Sequence, residues 1–295
     1  MVFSDPEIVE LLSTKFVPLA LDAWYHRRRQ DSEGEFLRKV IGQEPTRTDM
    51  KQSTQGRYAF TADGRLFGFD NHGSEGLVRT KLLLKSALAR FEPARTEIGQ
   101  ARPPDPLYDR TMPPGVAVVD ITMKFLGGYA PTEDPNLKAY QGILGRERLW
   151  IRKDETEALS RGEWPESLKR RLVLAHLYDN TRGQHNAWWK EGEIRTLDLS
   201  FKDGRLRGSV HLKSEGSEGR EFRADLLGFI EVRDGRLARF DLVVKGGYTE
   251  GHVRGDLPDV EPGAPFAMAF RTADPKDPGY KVPPACARFF EEYLR

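Results

Sequence analysis

Apolar and polar positions follow two different patterns along this chain of 295 residues. Up to about residue 91, short apolar runs alternate with stretches in which apolar residues recur every three or four positions, as on one face of a helix. Beyond residue 115, long stretches alternate apolar and polar residues with a period of two, which is typical of antiparallel strands with one buried face. The pattern predicts an α+β protein with two differently built parts.

The first part is predicted to alternate helices with short strands. Asp5 is suited to cap a first helix, because Pro6 at the first helical position has no N–H to leave unsatisfied. Ser32 and Glu35 have the spacing of a capping box at the start of a second helix. The predicted order is a helix from Pro6, a buried strand over Phe16–Leu21, a helix from Ser32, a hairpin around Asp63-Gly64 and a helix over residues 75–90.

The opening of the chain, Val2–Leu12 followed by Phe16–Trp24, resembles a thioredoxin-superfamily domain. In that superfamily a strand ending in Asp-x-Trp leads to a Cys-x-x-Cys pair at the start of the next helix. Asp22 and Trp24 match this ending, but the following run contains no cysteine, and residues 53–56 contain no counterpart of the usual cis-proline. The resemblance implies a thioredoxin-like α/β domain over residues 1–91 that has lost its redox chemistry.

A proline-rich connector is predicted over residues 92–115, and a larger, mainly antiparallel β domain over residues 116–295. We expect a curved sheet or a barrel with one or two helices, one over Pro165–Asp179 and one over Arg288–Leu294. The turns Asp203-Gly204 and Asp234-Gly235 favour type I′ hairpins. The predicted strands are Val116–Leu126, Arg148–Ile151, Ile194–Phe201, Leu206–Leu212, Arg220–Val232 and Leu237–Val244.

The charge balance argues against several classes of partner. Lys and Arg number 46 against 45 Asp and Glu, so no overall field attracts nucleic acid or an anionic membrane. No run of about 18 apolar residues occurs, which excludes a membrane-spanning helix. Because acidic residues come too early for a signal peptide, we expect a cytoplasmic protein, unless a signal peptide was removed before the numbering began.

The single cysteine, Cys286, excludes an intramolecular disulfide, a Cys-based zinc site and a dithiol redox cycle. No histidine lies near it in the sequence, so we expect a buried and inert thiol. A thiol peroxidase or disulfide reductase that acts through Cys286 alone would need an external resolving thiol.

A first candidate site is basic. His26, Arg27 and Arg28 precede the second predicted helix, whose N-terminus favours an anion, and arginine adds bidentate geometry for phosphate or carboxylate. The alternative is a solvated basic turn whose charges pair with the neighbouring acidic residues Asp31, Glu33 and Glu35.

A second candidate site could hold a divalent metal as cofactor. His176 and Asp179 are three residues apart on a predicted helix, and the following turn could bring His185 back towards them. Two histidines and one carboxylate can bind a metal and leave an open position. The alternative is a histidine at a helix end and an aspartate that caps the turn.

A third candidate is a pocket in the second domain lined by large aromatic residues: Tyr178, Trp188, Trp189 and Tyr248. The alternative is that these rings close the end of a curved sheet. Together the candidates favour a redox-inactive thioredoxin-like protein whose β domain binds a small molecule or a protein partner. A metal-dependent enzyme that uses His176, Asp179 and His185 is the second hypothesis, and the sequence leaves open whether the protein is an enzyme.

Overall fold

A computed structural model describes residues 2–44, 55–71, 75–93, 101–181, 188–215, 219–250, 259–287 and 290–294. The chain divides into two compact units, Met1–Asp109 and Arg110–Arg295. The boundary lies inside the proline-rich stretch predicted as a connector. The two units are built differently, as the change in hydrophobic period predicts.

The first unit contains four α-helices and a hairpin among its described residues. Asp5 caps the first helix as predicted, because its Oδ1 accepts hydrogen bonds from the backbone N–H groups of Glu7 and Ile8 at 3.1 and 3.2 Å. The elements are α1 (Pro6–Lys15), α2 (Ala23–His26), α3 (Ser32–Ile41), β1 (Arg57–Phe60), β2 (Leu66–Asp70) and α4 (Gly76–Arg90).

The strand predicted over Phe16–Leu21 is wrong. Residues 16–22 have no regular secondary structure, and the side chains of Val17 and Leu19 are 84% and 62% exposed. A buried strand needs neighbours on both sides, and within the described part of this unit the only sheet is the two-stranded hairpin β1-β2. The thioredoxin-like identity of the unit therefore stays a prediction.

The N-cap of α3 lies one residue earlier than predicted, because Asp31, not Ser32, caps the helix. The Asp31 side chain is buried and accepts hydrogen bonds from the backbone N–H groups of Gly34 and Asp105 at 3.1 and 2.8 Å. Burial alone would raise the pKa of Asp31, but hydrogen bonds from Arg29 and these N–H groups lower it to about 2. The carboxylate thus ties residue 105 of the predicted connector to the start of α3.

The second unit is organised around one antiparallel sheet of seven strands. Their order is β4-β3-β9-β8-β7-β6-β5, so β4 and β5 are the edges. The strands are β3 (Ala117–Phe125), β4 (Gly145–Ile151), β5 (Ile194–Lys202), β6 (Arg205–Lys213), β7 (Glu221–Arg233), β8 (Arg236–Thr249) and β9 (Ala264–Thr272).

Six of these strands are predicted from alternation, and β9 is not. Buried Phe266, Met268 and Phe270 alternate along β9, but alanines with low strand propensity separate them and Pro265 stands near its start. In the sheet β9 pairs with both β3 and β8. An ambiguous local pattern therefore becomes a central strand through its neighbours.

The two long hairpins have the predicted turns. Asp203 and Gly204 have φ of 50° and 73°, and Asp234 and Gly235 have φ of 50° and 70°, as type I′ geometry requires. In the first unit only Gly64 of the corresponding pair has a positive φ, 83°, and the β1-β2 register shifts between Ala59 and Phe60. The same dipeptide thus makes a different turn there.

The second unit also has four α-helices among its described residues, and two of them add the buried Leu159 and Leu168 to the core of the sheet. The four helices are α5 (Pro135–Gln141), α6 (Lys153–Ser160), α7 (Glu166–Arg171) and α8 (Phe290–Leu294). The helix predicted from Pro165 is present, but after Arg171 it widens into a π-helix, Leu172–His176. No helix in the described part of the chain is long and apolar enough to cross a membrane.

Candidate metal site

Glu147 lies on the edge strand β4 with only 5% of its surface exposed. Its Oε1 accepts hydrogen bonds from the backbone N–H groups of Arg148 and Ala285 at 2.7 and 2.8 Å, and its Oε2 accepts one from the N–H of Cys286 at 3.0 Å. Burial raises the pKa of Glu147, while these three donors act in the opposite direction. The carboxyl therefore holds the segment around Cys286 against the sheet.

His176 is the last residue of the π-helix and is fully buried. Its Nε2 lies 2.8 Å from the hydroxyl oxygen of Tyr293 on α8. Burial and, to a smaller extent, the positive charge of Arg171 together lower the pKa of His176 to about 3. The imidazole is therefore neutral near pH 7, and one of its two nitrogens has a lone pair free to bind a metal.

Cys286 completes the group. Its Sγ lies 3.8 Å from Nδ1 and 4.0 Å from Nε2 of His176, so a small rotation of either side chain decides which nitrogen the sulfur approaches. Burial raises the pKa of the Cys286 thiol well above its usual value, and the Glu147 carboxylate raises it further. In the absence of a cation the thiol stays protonated, which makes it a poor nucleophile.

The three side chains together have the composition of a metal site. One ligand atom each from Glu147, His176 and Cys286 can be chosen so that all lie within 4.8 Å of one another, and all three residues are buried. Ligand atoms about 2.0 to 2.3 Å from a tetrahedral ion are about 3.3 to 3.8 Å apart. Small side-chain adjustments would bring the three atoms to that spacing.

The electrostatics of the group favour a divalent cation. A thiolate at Cys286 and a carboxylate at Glu147 carry two negative charges, which a divalent ion neutralises. Without the ion, burial opposes both charges, as the raised pKa values of the two groups show. Arg171, the nearest positive group acting on His176, already pairs with buried Glu155.

Aromatic residues enclose the site. Trp150, Tyr178 and Tyr293 are at most 1% exposed and pack in one apolar cluster with Cys286. Trp188 packs against this cluster, and its Nε1–H donates a hydrogen bond to the backbone oxygen of Cys286 at 3.0 Å. These rings exclude water from the group, which strengthens any ion–ligand interaction there.

Of the predicted metal trio, the structure places only His176 in this group. Asp179 instead turns the chain, because its Oδ1 accepts hydrogen bonds from the N–H and hydroxyl of Thr181 at 2.8 and 2.6 Å. This is the role that the alternative interpretation assigns to it. His185 lies outside the described residues.

Sequence reasoning missed Glu147 and set Cys286 aside. The burial predicted for Cys286 is confirmed, but His176, 110 residues away in the sequence, lies beside it in space. Glu147 is one of many glutamates and belongs to no motif. The only signal in the sequence was that the chain has a single cysteine, and it did not point to partners.

The four aromatic residues of the predicted pocket divide between two apolar clusters. Trp189 and Tyr248 belong to the large core of the sheet, and Tyr178 belongs with Trp188 to the cluster around Cys286. The Nε1–H of Trp189 donates to the backbone oxygen of Leu177 at 2.6 Å, so its polar atom is satisfied internally. These contacts describe packed core residues.

The basic residues of the predicted anion site mostly meet groups of their own unit. His26 Nε2 lies 3.4 Å from the Glu33 carboxylate, and Arg28 stacks over Trp24 at 4.3 Å. Arg27 is the residue that ends α2, and burial and the charge of Arg28 lower its pKa. The N-terminus of α3 already has the Asp31 carboxylate as its cap. An added anion would have to compete with these carboxylates.

Comparisons of this chain with known protein families, curated proteins and solved structures find no match. Function must therefore be argued from the residues themselves. Among the described residues, Glu147, His176 and Cys286 form the group that offers a chemically specific set of donors.

Proposed function

We propose that the second unit of this protein binds one divalent transition metal ion through Glu147, His176 and Cys286. The observation that carries the proposal is the approach of a thiol, an imidazole and a carboxyl group to within 4.8 Å of one another in the protein interior. Burying three such groups without a shared partner costs free energy. A metal ion bound to all three would offset that cost.

The donor set favours zinc. Sulfur and nitrogen ligands suit Zn²⁺, Cu²⁺ and Fe²⁺, whereas Mg²⁺ and Ca²⁺ prefer oxygen alone. The contact between His176 and Tyr293 fits the arrangement in which a metal-bound histidine donates its second N–H to a neighbouring oxygen. Nδ1 would then be the ligand and Nε2–H the donor to Tyr293.

The surroundings favour an ion that stabilises the fold. The three ligands come from β4, the π-helix and the segment before α8, which are far apart in the sequence. An ion that joins them would tie the C-terminal segment to the sheet, and its binding energy would add to the free energy of unfolding. Complete burial of His176 argues against direct access of a substrate to the ion.

Cobalt is the most informative probe, because a Co²⁺–thiolate bond gives a charge-transfer absorption that oxygen and nitrogen ligands do not. The protein should be unfolded with chelator and refolded with Co²⁺, so that a buried site can be filled. We expect one Co²⁺ to bind per chain and to give the charge-transfer band. Added Zn²⁺ should then displace Co²⁺ and abolish the band. Metal analysis of protein purified without added metal should find zinc, at up to one ion per chain.

Single substitutions identify the ligands. Cys286→Ser should abolish the charge-transfer band, and His176→Gln and Glu147→Gln should each weaken Co²⁺ binding at least tenfold. His211→Gln is the matched control, because His211 pairs with Glu221 on the sheet at 2.8 Å and takes no part in the group. Near-UV circular dichroism separates loss of binding from loss of fold. A wild-type protein that refolds normally but takes up no Co²⁺ contradicts the proposal.

A further inference from the structure

A groove crosses the face of the large sheet formed by β6, β7 and β8. Its volume is about 390 Å³, and it shares no residue with the metal group. We call it the outer groove and define it by Arg205, Arg207, Leu227, Phe229, Arg239 and Val243.

The floor of the outer groove is apolar and open to solvent. Leu227 and Val243 are 60% and 50% exposed, although both lie in central strands of the sheet. They face each other across β7 and β8, and Arg207 is the neighbour of Leu227 on β6. Two strand spacings make this row about 10 Å wide, which matches one aromatic ring system or a short alkyl chain.

The rim of the groove is basic. Arg205 and Arg207 are exposed on the same face of β6, two residues apart. Within the part of the chain that the structure describes, neither guanidinium group forms a hydrogen bond or an ion pair, although the backbone of both residues pairs in the sheet. Arg239 does pair with Asp241, at 2.5 Å, and lies over the Phe229 ring at 4.8 Å from its centre. The groove is lined by three guanidinium groups and by one carboxylate, that of Asp241, so it has two excess positive charges.

We propose that the outer groove binds a small organic anion with an apolar body. Its carboxylate, phosphate or sulfonate group would bind Arg205 and Arg207, and its ring or alkyl chain would cover Leu227 and Val243. Arginine pairs bind such oxyanions with directed, charge-assisted hydrogen bonds.

The size and charge of the groove favour this occupant over two others. Its volume lies in the range of small-molecule sites, about 300 to 1,000 Å³. A second copy of the chain would bring two grooves of like charge together, and like charges across an interface are unfavourable. With a net charge of only +1, the chain also has no overall positive field to attract nucleic acid.

The test uses 8-anilinonaphthalene-1-sulfonate, an aromatic sulfonate whose fluorescence rises in apolar surroundings, and its uncharged analogue N-phenyl-1-naphthylamine. On the native full-length protein we expect saturable binding of one sulfonate per chain, at least tenfold tighter than binding of the neutral analogue. Octanoate should displace the sulfonate, since it offers the same combination of an anion and an apolar chain.

Substitutions locate the binding site. The double variant Arg205→Gln, Arg207→Gln should weaken sulfonate binding about tenfold and leave binding of the neutral analogue unchanged. Leu227→Ser should weaken binding of both probes. The matched control is the double variant Lys153→Gln, Lys276→Gln, which removes two exposed positive charges elsewhere on the same unit. It should bind both probes with the affinity of the wild type.

Sedimentation velocity on the same samples reports self-association. Sulfonate binding that is equally tight in the double arginine variant overturns the proposal. So does a neutral analogue that binds as tightly as the sulfonate, or a wild-type dimer that Leu227→Ser converts to monomer.

Discussion

At His176, burial and the positive charge of Arg171 both oppose protonation, and together they lower the pKa of the imidazole to about 3. In the unfolded chain the same imidazole has a pKa of about 6.5. Between these two pH values the unfolded chain binds a proton that the folded chain does not. Folding stability must therefore fall as the pH is lowered through that window.

We predict that metal-free wild-type protein loses stability between about pH 6.5 and pH 3 more steeply than His176→Gln. The extra slope should approach about 1.4 kcal/mol per pH unit, the linkage of one proton. Urea unfolding at several pH values, with chelator present, gives the two curves. The raised pKa of Glu147 has the opposite effect above pH 4.5 but is common to both proteins, so the difference isolates His176. Parallel curves would show that the imidazole is protonated in the folded state.

The raised pKa of the Cys286 thiol makes a second prediction at this scale. A metal ion must displace the thiol proton, so Co²⁺ affinity should increase about tenfold per pH unit between pH 6 and 8. His176 should not contribute to this dependence, since its pKa is about 3. Calorimetric titration in two buffers with different ionisation enthalpies counts the released protons. An affinity that changes only around pH 6.5 would instead assign the controlling proton to a histidine.

At the scale of elements, two glycines allow the long strands to approach one another closely. A Cβ at Gly208 would lie 1.9 Å from the backbone oxygen of Asp198, and one at Gly246 would lie 1.8 Å from that of Arg223. Both contacts are with backbone of a paired strand, which cannot move aside without breaking the ladder. A side chain larger than hydrogen at either position would force the paired strands apart.

Gly246→Ala should therefore lower the free energy of unfolding by about 1 to 3 kcal/mol, the usual cost of overpacking. The matched control is Gly142→Ala, where the nearest atom to the new Cβ would be the Ala139 oxygen at 3.5 Å, an ordinary contact. The free energy of unfolding of Gly142→Ala should stay within about 0.5 kcal/mol of the wild-type value. Chemical denaturation of the three proteins makes the comparison. Equal stability of Gly246→Ala and wild type would mean that the strands separate there at no cost.

The π-helix is an element that its sequence pattern does not reveal. The pattern predicts one helix from Pro165 to Asp179, and the structure has α7 followed by the wider turn Leu172–His176. Such turns are rare and often occur at functional sites. Here the wide turn ends on His176 and presents it to Cys286 and Tyr293.

At the scale of the whole molecule, the chain divides into two compact units, and the proposed metal ligands all lie in the second. Among the described residues, the members of both its apolar clusters lie between Met112 and Leu294, and all three proposed metal ligands lie in the same range. The described contacts of this core and of the proposed site therefore lie within the second unit.

We predict that residues 110–295 expressed alone fold cooperatively and bind Co²⁺ with the affinity of the full chain. Far-UV circular dichroism and thermal unfolding test the first expectation, and the cobalt titration tests the second. The full-length protein, measured in parallel, is the control. A fragment that unfolds without a cooperative transition would show that the first unit supplies part of the stabilisation.

Local chemistry let the sequence by itself determine several features. The Asp5 cap, the type I′ turns at Asp203 and Asp234 and six strands of the large sheet depend on neighbouring residues or on simple alternation. Capping, positive φ and a period of two act over a few residues, so they can be recognised without knowing the fold. The single cysteine likewise settled that no disulfide forms within one chain.

Tertiary structure alone decided which residues meet. The segment Phe16–Leu21, predicted as a strand, has no regular secondary structure. By contrast β9, whose pattern is weak, pairs with two strands and is central in the sheet. Glu147 reaches Cys286 across 139 residues, and His176 reaches it across 110. Burial, strand pairing and ligand geometry depend on such distant contacts, which no local pattern encodes. For that reason the sequence could group His176 with nearby Asp179 but could not place it beside Glu147 and Cys286.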